Sequence, residues 1–324
     1  MQVYLLVNES CNLQCPFCIR GTVKGRNLIA AEWKRVLDLN DFSHDTLLVT
    51  GGEPSLHLRL AEIIRCSIDK FNSICVHTNG TESDWIANVH DRNVAVQISV
   101  DGSRELHNAI RGRGRVDVCA RVEKTVGRLN SRNIRYCVST TINKTNVSDV
   151  GEMVKYISTF PRLDYWKVAP QLPFGCGKIE DCLTVAEWNE IVDRLHRDVE
   201  IPLRAYKLFD FRLVDAYVKE HGELPPRAMN CGSVTEKVYI YPDLTVYPCT
   251  CLTDFPLGSA LTCSLKKILH SEKAMPFRDY KVAPESYCSS CRYLPFCNGG
   301  CIGMSYATFG RLGMGDARCP LMNR

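Results

Sequence analysis

The sequence has no long uninterrupted hydrophobic run: the longest is Val3-Tyr4-Leu5-Leu6-Val7. A transmembrane helix needs about 20 apolar residues, so we expect none. The first residues also lack the basic region and the long apolar stretch of a signal peptide. An excess of one charge is missing too, since 40 Lys and Arg against 36 Asp and Glu leave +4, which favours neither a nucleic acid nor a membrane as partner. We therefore expect a soluble, cytoplasmic protein.

Internal repeats and low-complexity tracts are absent as well, which excludes a solenoid, and the chain is ordinary in its hydrophobic content of 45%. Cysteine, in contrast, is abundant, with 18 residues among 324. In a chain without an export signal, disulfides are not the first expectation, because intracellular thiols stay reduced. The cysteine content instead favours metal ligation, and spacing must identify the sites.

Residues 1–170 alternate short β-branched runs with segments that have helical spacing of apolar residues. The predicted strands are residues 3–7, 46–50, 73–77, 94–100, 135–141 and 164–169, and the predicted helices are 31–39, 56–70, 83–89, 116–129 and 147–158. This alternation predicts an α/β fold with a parallel sheet and right-handed crossovers. Six strands are too few for an eight-stranded barrel, and periodicity alone leaves an open doubly wound sheet as an alternative.

The remainder of the chain does not continue this alternation of strands and helices. Helical patterns at residues 184–197 and 208–221 precede Pro225-Pro226, and a β-hairpin is predicted from residues 237–241 and 244–247 around Pro242-Asp243. Nine cysteines follow Asn230, and we expect metals rather than an apolar core to hold this segment together. The predicted domains are residues 1–182, 183–229 (a helical linker) and 230–324. No recognition module is expected before the first strand.

A cluster of three cysteines, Cys11, Cys15 and Cys18, comes directly after the first predicted strand with C-x3-C-x2-C spacing. An iron–sulfur cluster normally has four cysteine ligands, so three would leave one iron open, as an open position marks a catalytic zinc. The spacing alone also permits a zinc site completed by His44 or His57, or free buried thiols.

Other motifs follow the next strands. Phe17 precedes the third cysteine, and the strand ends carry Gly51-Gly52-Glu53-Pro54, Thr78-Asn79-Gly80 and Ser99-Val100-Asp101-Gly102, the last followed by His107 and Arg111. Together these resemble the radical S-adenosylmethionine (SAM) family. The resemblance implies a partial (βα)6 barrel resembling a TIM barrel, in which the three cysteines hold a [4Fe–4S] cluster whose fourth iron binds the amino and carboxylate groups of SAM. Reductive cleavage of SAM would then give a 5′-deoxyadenosyl radical that removes a substrate hydrogen atom.

The same resemblance implies which residues contact SAM. Glu53 is expected at the methionine amino group, Ser99 as a further ligand and Arg111 at the carboxylate. For Asp101, an Asx-turn or helix cap is an equal alternative. The full expected set is Phe17, Gly51, Gly52, Glu53, Pro54, Asn79, Ser99, Asp101 and Arg111.

A second cysteine group lies near the C-terminus, with the pattern Cys288-x2-Cys291-x5-Cys297-x3-Cys301. Spacing alone predicts a metal site but does not separate zinc from iron–sulfur. With Cys231 and Cys249 before it and Cys319 after it, the order resembles the SPASM extension. That resemblance implies two auxiliary clusters, expected to be [4Fe–4S]. Cluster I would take Cys231, Cys249 and Cys301, with Cys176, Cys182, Cys251, Cys263 or nothing as a fourth ligand, and cluster II would take Cys288, Cys291, Cys297 and Cys319.

Two positions depart from the pattern. Leu244 replaces the motif's glycine, so we expect the hairpin turn to avoid a positive φ. Thr250 stands where anaerobic sulfatase-maturating enzymes carry an aspartate base, which counts against that activity. Cys176 follows the sixth strand, where a thiol could return a hydrogen atom to a substrate radical, although a cluster ligand or a plain loop thiol is an alternative. Buried, inert thiols are expected at Cys66, Cys75, Cys119 and Cys137.

The leading hypothesis is a radical SAM/SPASM enzyme that modifies a ribosomal peptide or protein by cross-linking, oxidation or epimerisation. An epimerase or dehydrogenase of a small molecule, such as an amino sugar, is the alternative. The resemblance also implies an electron donor such as flavodoxin or ferredoxin. A non-catalytic iron–sulfur or zinc module that binds a partner would explain the C-terminal cysteines but not the motifs at successive strand ends.

Overall fold

A computed structural model describes residues 1–21, 25–89, 91–225 and 232–322. Its ten strands form one sheet, in the order β10-β9-β8-β1-β2-β3-β4-β5-β6-β7. The strands are β1 (Gln2–Leu6), β2 (Thr46–Thr50), β3 (Ser73–Thr78), β4 (Val94–Ser99), β5 (Arg135–Ile142), β6 (Trp166–Pro170), β7 (Leu203–Arg204), β8 (Lys237–Ile240), β9 (Thr245–Tyr247) and β10 (Gly258–Ser259).

Strands β1 to β7 are parallel and neighbour one another in chain order, which confirms the predicted α/β sheet. Alternate residues point to opposite faces: Val3 and Leu5 are fully buried under the helices, whereas Tyr4 faces the other side. Tyr4 on β1 and Arg204 on β7 line the same cavity, although five strands separate β1 from β7. The sheet is therefore curved, as a partial barrel requires, and a flat doubly wound sheet is not supported.

Helices cover the outer face of this sheet in the first half of the chain. Each predicted helix is present except residues 83–89, which form a 3₁₀ turn (Asp84–Asn88). None of the helices in the described parts of the chain is long and apolar enough to cross a membrane. They are α1 (Ala30–Asp38), α2 (Leu60–Ser67), α3 (Arg104–His107), α4 (Val118–Ser131), α5 (Val150–Ser158), α6 (Val185–Asp198), α7 (Phe211–His221), α8 (Leu265–Leu269), α9 (Met275–Arg278), α10 (Leu294–Cys297) and α11 (Ile302–Phe309).

The predicted β-hairpin is present as β8 and β9, and it extends the barrel sheet. Strand β8 pairs in parallel with β1, in a register that places Gln2 opposite Lys237. Val238, Ile240 and Val246 are fully buried and belong to the same apolar core as the barrel. The expectation that metals rather than a core hold residues 230–324 is therefore wrong for the hairpin, since its apolar face is buried against the barrel.

The hairpin turn also overturns the expectation for Leu244. Its φ is +62°, a left-handed conformation that costs a residue with a Cβ about 1–2 kcal/mol. Leu244 has no exposed surface and packs in the main core, and burial of a leucine is worth about 1.5–3 kcal/mol. Burial of the side chain thus offsets the backbone strain that a glycine would avoid.

Substitutions at Leu244 test this balance. We expect Leu244→Ala to lower the free energy of unfolding by about 3 kcal/mol, because it loses burial and keeps the strain. Leu244→Gly should be less harmful by about 1 kcal/mol, because glycine accepts a positive φ. Urea unfolding of the anaerobic holoprotein measures both. At Leu257, a buried leucine without a positive φ, the order should reverse; the same order at both positions would contradict the explanation.

Candidate active site

The cysteine loop that follows β1 lies against the turn that follows β2. The amide of Gly52 donates to Asn8 O (2.9 Å), and the amide of Glu53 donates to Ser10 O (2.8 Å). A Cβ on Gly51 would lie 2.3 Å from Asn8 Oδ1, and one on Gly52 would lie 2.2 Å from Ser10 O. The two glycines are therefore required for the close approach of the cysteine loop itself, whatever else they contact.

Glu53 joins the ends of β2 and β3. Its buried carboxylate accepts hydrogen bonds from Ser55 N (3.0 Å), Thr78 Oγ1 (2.6 Å) and Asn79 N (2.7 Å). Burial raises the pKa of Glu53, and these hydrogen bonds oppose the shift. Glu53 also caps a short 3₁₀ turn that begins at Pro54. The carboxylate is thus fixed in place at the carboxyl edge of the sheet.

Asn79 connects the end of β3 to the cysteine loop. Its amide nitrogen donates to Asn12 Oδ1 (2.9 Å) and lies 3.9 Å from Cys11 Sγ. Its amide oxygen accepts from Thr81 N (2.9 Å) and Thr81 Oγ1 (2.6 Å). Asn79 thus contacts the first cysteine of the loop and is buried with its amide nitrogen and oxygen both engaged.

Asp101 and Arg111 form a buried ion pair at the end of β4. Arg111 Nε donates to Asp101 Oδ2 (2.5 Å), and the guanidinium carbon lies 5.8 Å from the centre of the Phe17 ring. Asp101 Oδ1 accepts from Thr141 N (2.7 Å), so Asp101 orients Arg111 and ties β4 to β5. This role replaces the Asx-turn or helix-cap alternative. Arg111 lies on one turn of π-helix (Asn108–Gly112), a feature that is frequent at functional sites.

His107 holds the backbone of Asp101 in the Asp101–Arg111 ion pair. Its Nδ1 accepts the backbone N–H of Asp101 (3.0 Å), which makes Nε2 the protonated nitrogen. Burial lowers the pKa of His107 to about 3, so the ring is neutral. Ser99, the last residue of β4, is partly buried, and its hydroxyl has no hydrogen-bond partner among the described residues.

The three cysteines line a cavity of about 980 Å³. Cys176 lines the same cavity, and its amide donates to Cys18 O (2.8 Å). A Cβ at Gly175 would lie 2.4 Å from Cys18 O, so this glycine, with a φ of +64°, permits the contact. The loop after β6 is therefore held against the loop after β1, and four thiol-bearing residues border one space.

The alternative of a zinc site with histidine is not favoured. Both ring nitrogens of His57 are engaged by backbone, with Nε2 at 2.9 Å from Leu28 O and Nδ1 accepting from Arg59 N at 3.1 Å. His44 precedes β2 and so lies at the amino ends of the strands, away from the cysteine loop.

Arg20 is a residue of the site that its sequence context did not reveal. Its Nη1 donates to Tyr241 Oη (2.9 Å) and Thr250 Oγ1 (2.9 Å), and the guanidinium lies over the Tyr241 ring. It lines the cavity of the cysteine loop and reaches the C-terminal hairpin. The available signal was its position two residues after Cys18, but nothing in the sequence indicated its partners, which lie more than 220 residues away.

The C-terminal cysteines fall into two groups in the structure. Burial, together with the negative charges that Cys288, Cys291 and Cys319 would carry as thiolates, raises the pKa of Cys297 to about 11. Cys319 is in turn affected by Cys288 and Cys291. These four thiols therefore lie near one another, as the resemblance implied for cluster II.

The second group contains Cys249, Cys251 and Cys301. The amide of Cys251 donates to Cys249 Sγ (3.5 Å), and a Cβ built on Gly303 would lie 3.2 Å from Cys251 Cβ and 3.7 Å from Cys301 Sγ. A hydrogen bond between the two thiols lowers the pKa of Cys249 and raises that of Cys251. Cys231 lies outside the described residues.

The donor set fits iron–sulfur clusters, whose usual ligands are cysteine thiolates. In the described ranges, no group of three or more His, Cys, Asp or Glu side chains converges tightly enough for one metal ion. A cluster carries its thiolate ligands on different iron atoms, so its cysteines stand farther apart than the ligands of one ion. Three cysteines on one loop, and four whose charges affect one another's pKa, are donor sets of the kind that such clusters use.

Comparison with known proteins identifies the class of enzyme that has this constellation. Residues 5–157 match the model of the radical SAM superfamily, and residues 231–292 match that of the SPASM iron–sulfur cluster-binding domain. The radical SAM domain is one that binds a [4Fe–4S] cluster and SAM, and the SPASM domain binds auxiliary iron–sulfur clusters. The chain belongs to the radical SAM enzymes that carry a C-terminal SPASM domain.

Similar proteins include enzymes that mature peptides and proteins. The sporulation killing factor maturation protein SkfB of Bacillus subtilis is 29% identical over 82% of this chain, which spans 63% of SkfB. A cysteine-type anaerobic sulfatase-maturating enzyme of Clostridium perfringens is 24% identical over 91% of this chain and 86% of its own length. The structure of Streptococcus suis SuiB bound to precursor peptide SuiA aligns with 98% of this chain and 75% of SuiB, with a TM-score of 0.78 and 15% identity.

The contacts of Glu53 yield a stability prediction. In Glu53→Gln an amide group must face at least one of three donors that a carboxylate accepts, and we expect the free energy of unfolding to fall by about 2 kcal/mol. Urea unfolding of the anaerobic protein provides the measurement. Glu62→Gln, which loses only surface ion pairs with Lys34 and Arg59, should change stability much less. Equal losses in the two variants would show that the Glu53 network is not stabilising.

Proposed function

We propose that this protein modifies a ribosomally made peptide or protein at an unactivated C–H bond. When bound, the cluster and SAM supply a 5′-deoxyadenosyl radical that removes a hydrogen atom from the substrate. The observation that carries the proposal is the cavity of about 980 Å³ that Cys11, Cys15 and Cys18 border together with Cys176 and Arg20. Arg20, which lines this cavity, also donates to Tyr241 and Thr250, so a substrate in the cavity would lie beside a residue that contacts the SPASM domain.

In this proposal the chain holds its cofactors from four strand ends. Cys11, Cys15 and Cys18 ligate the [4Fe–4S] cluster, and Glu53, Ser99 and Arg111 bind the amino and carboxylate groups of SAM, with Gly51, Gly52, Pro54, Asn79, Phe17 and Asp101 around them. The Ser99 hydroxyl, which no described residue engages, and the orientation of Arg111 by Asp101 support these assignments. An electron donor such as a flavodoxin or ferredoxin would reduce the enzyme.

Two auxiliary clusters complete the proposed machinery. The proximity of Cys288, Cys291, Cys297 and Cys319 supports their assignment to one cluster. For the other cluster, with Cys249 and Cys301, we propose Cys251 as the additional ligand. The Cys251 amide donates to Cys249 Sγ, and the side chains of Cys251 and Cys301 both adjoin Gly303. Cys231 is proposed from its sequence position alone.

The environment of Thr250 does not support a sulfatase-maturating activity. That activity uses an aspartate base after the cysteine equivalent to Cys249, and here Arg20 donates to the hydroxyl of Thr250 instead. A guanidinium stays protonated in proteins, and a threonine hydroxyl is a poor base, so this pair does not accept a proton from the substrate.

Several relatives, by what their names say, favour a peptide over a small molecule as substrate. SkfB is a maturation protein of the sporulation killing factor, and SuiB has been solved with its precursor peptide. Co-expression with each short reading frame that flanks the gene tests the proposal by mass spectrometry of the peptide. A loss of two hydrogens is expected for a cross-link or oxidation, and an unchanged mass with an inverted residue for epimerisation. Conversion of an amino sugar with no altered peptide would overturn it.

Replacement of the three loop cysteines tests the cluster assignment. Wild-type protein reconstituted anaerobically should contain about eleven to twelve irons, and the Cys11/Cys15/Cys18→Ala variant should lose about four. The reduced variant should form no 5′-deoxyadenosine from SAM, whereas wild type should. Cys66→Ala, at a thiol on α2 that hydrogen-bonds Ile63 O, is the matched control and should keep all iron. Zinc in place of iron at the C-terminal cysteines would contradict the assignment of auxiliary iron–sulfur clusters to them.

Cys176 distinguishes epimerisation from oxidation. If its thiol returns a hydrogen atom to a substrate radical, the thiyl radical that remains is restored to a thiol by one electron from the electron donor and one proton from solvent. Turnover in deuterated water then places one deuterium in the product, and Cys176→Ala abolishes product inversion. Formation of 5′-deoxyadenosine should persist in that variant. Product that lacks two hydrogens, formed equally by wild type and Cys176→Ala, would assign an oxidation and leave Cys176 as a loop thiol.

A further inference from the structure

The concave face of the sheet has an unusual charge pattern. The ten strands contain four charged residues, Arg135, Lys167, Arg204 and Lys237, and all four are basic. None of these described strands contains an aspartate or a glutamate. The sheet therefore presents positive charge alone, although the chain as a whole is nearly balanced at +4.

Three of these four cations face the interior of the partial barrel. Arg135, Lys167 and Arg204 line a cavity of about 740 Å³ on the concave face. The neighbours of Lys167 on β6, Trp166 and Val168, point the other way and are buried in the core. The cavity is distinct from the one that borders the three cysteines, because the two share no lining residue.

Lys167 is the partly buried cation of this cavity that has neither a carboxylate nor an aromatic partner among the described residues, whereas Arg92, which also lines the cavity, is exposed. Arg135 Nε is 2.8 Å from Asp164 Oδ2, and the Arg204 guanidinium stacks 3.6 Å from the centre of the Tyr165 ring. In the part of the chain that the structure describes, no carboxylate lies within 4 Å of the Lys167 ammonium. Its opposite neighbour in register is Arg204, and like charges directly opposite are unfavourable.

Partial burial raises the free-energy cost of the unpaired charge on Lys167. Burial, with smaller contributions from Lys237 and Arg204, lowers the pKa of Lys167, and the thiols of Cys75 and Cys137 oppose the shift. Burial and the Lys167 charge lower the pKa of His77 to about 3, so that ring adds no charge. An anion in the cavity would remove the cost of the uncompensated ammonium.

The position of Lys167 relates this cavity to the cofactor edge. In register, Ser99 at the end of β4 is opposite Ser139, which is opposite Lys167. Two strand spacings amount to about 10 Å. A molecule whose reacting carbon lies near Ser99 can therefore reach the position of Lys167 with a group about 10 Å away across the sheet.

We propose that the barrel interior binds a carboxylate of the substrate, with Lys167 as its principal partner. A partly buried ammonium without a described counter-ion matches one negative charge, so the occupant is the side-chain carboxylate of an aspartate or glutamate residue of a peptide. This inference rests on the proposed function, because it assigns a specificity determinant for the same peptide substrate. Lys167 is accordingly a binding residue for the substrate and takes no part in the radical step.

Two blocked pentapeptides test the assignment: acetyl-Ala-Ala-Glu-Ala-Ala-amide and its glutamine counterpart. Titration calorimetry of anaerobic holoenzyme with SAM should show at least about tenfold tighter binding of the glutamate peptide. Lys167→Met should abolish this preference, and Lys167→Arg should retain it. The matched control is Lys155→Met, at a surface lysine that pairs with Glu152 on α5, and it should behave as wild type.

A measurement on wild type covers the case in which Lys167→Met does not fold. The glutamate peptide, and not the glutamine peptide, should protect Lys167 from acetylation by an N-hydroxysuccinimide ester, as read by mass spectrometry. Equal affinities for the two peptides, or a preference that survives in Lys167→Met, would overturn the inference. So would displacement of both peptides alike by inorganic phosphate, which would assign a phosphate-type anion.

The failure of this inference is separable from that of the proposed function. Wild-type enzyme that forms 5′-deoxyadenosine from SAM but shows no glutamate preference contradicts the carboxylate site alone. A glutamate preference in a protein that forms no 5′-deoxyadenosine contradicts the proposed radical chemistry alone.

Discussion

The pairing of β1 with two strands that are far apart in sequence determines the rest of the architecture. On one side β1 pairs with β2, and on the other side with β8. The cysteine loop leaves the carboxyl end of β1, so it lies where the barrel and the C-terminal hairpin meet. Without the β1–β8 pairing, neither Thr250 nor Tyr241 would reach Arg20, and the site would consist of barrel residues alone.

Close approach of backbone to backbone then fixes the loop. Gly51 and Gly52 allow the turn after β2 to contact Asn8 and Ser10, and Gly175 allows the loop after β6 to contact Cys18. These contacts leave no room for a Cβ at any of the three positions. The cysteines are therefore held by closely packed backbone. This is expected of a reactive centre, because its ligands must be held in a fixed geometry by the residues around them.

The sequence predicted the barrel strands because each has a β-branched run bounded by turn residues and separated by helical patterns. Its motifs at strand ends predicted which side chains lie together, since carboxyl ends of parallel strands share one edge. It did not predict β7, which is two residues long, or the joining of β8 to β1, because sequence periodicity contains no information on pairing across 235 residues. Leu244 was mispredicted because local backbone preference was considered without the burial that outweighs it.

Within the site, local motifs were recognisable and long-range partners were not. The role of Glu53 as a bridge between β2 and β3 depends on donors from Thr78 and Asn79, and the role of Arg20 depends on a hairpin near the C-terminus. Nothing in the sequence distinguishes Lys167 from other lysines, because an isolated lysine in a strand is usually solvated. Only the curvature of the sheet places it in an interior where no described carboxylate pairs with it.

The pairing of β1 with β8 has a consequence for the order of events during synthesis. Gln2 finds its partner Lys237 only after more than two thirds of the chain has been made. Until then one edge of β1 exposes unpaired backbone groups, and such an edge is a template for pairing with other chains. Contacts of such large sequence separation also form slowly. The nascent protein thus passes through a period in which its metal-binding loop adjoins an open sheet edge, when a chaperone or prompt cluster delivery would matter most.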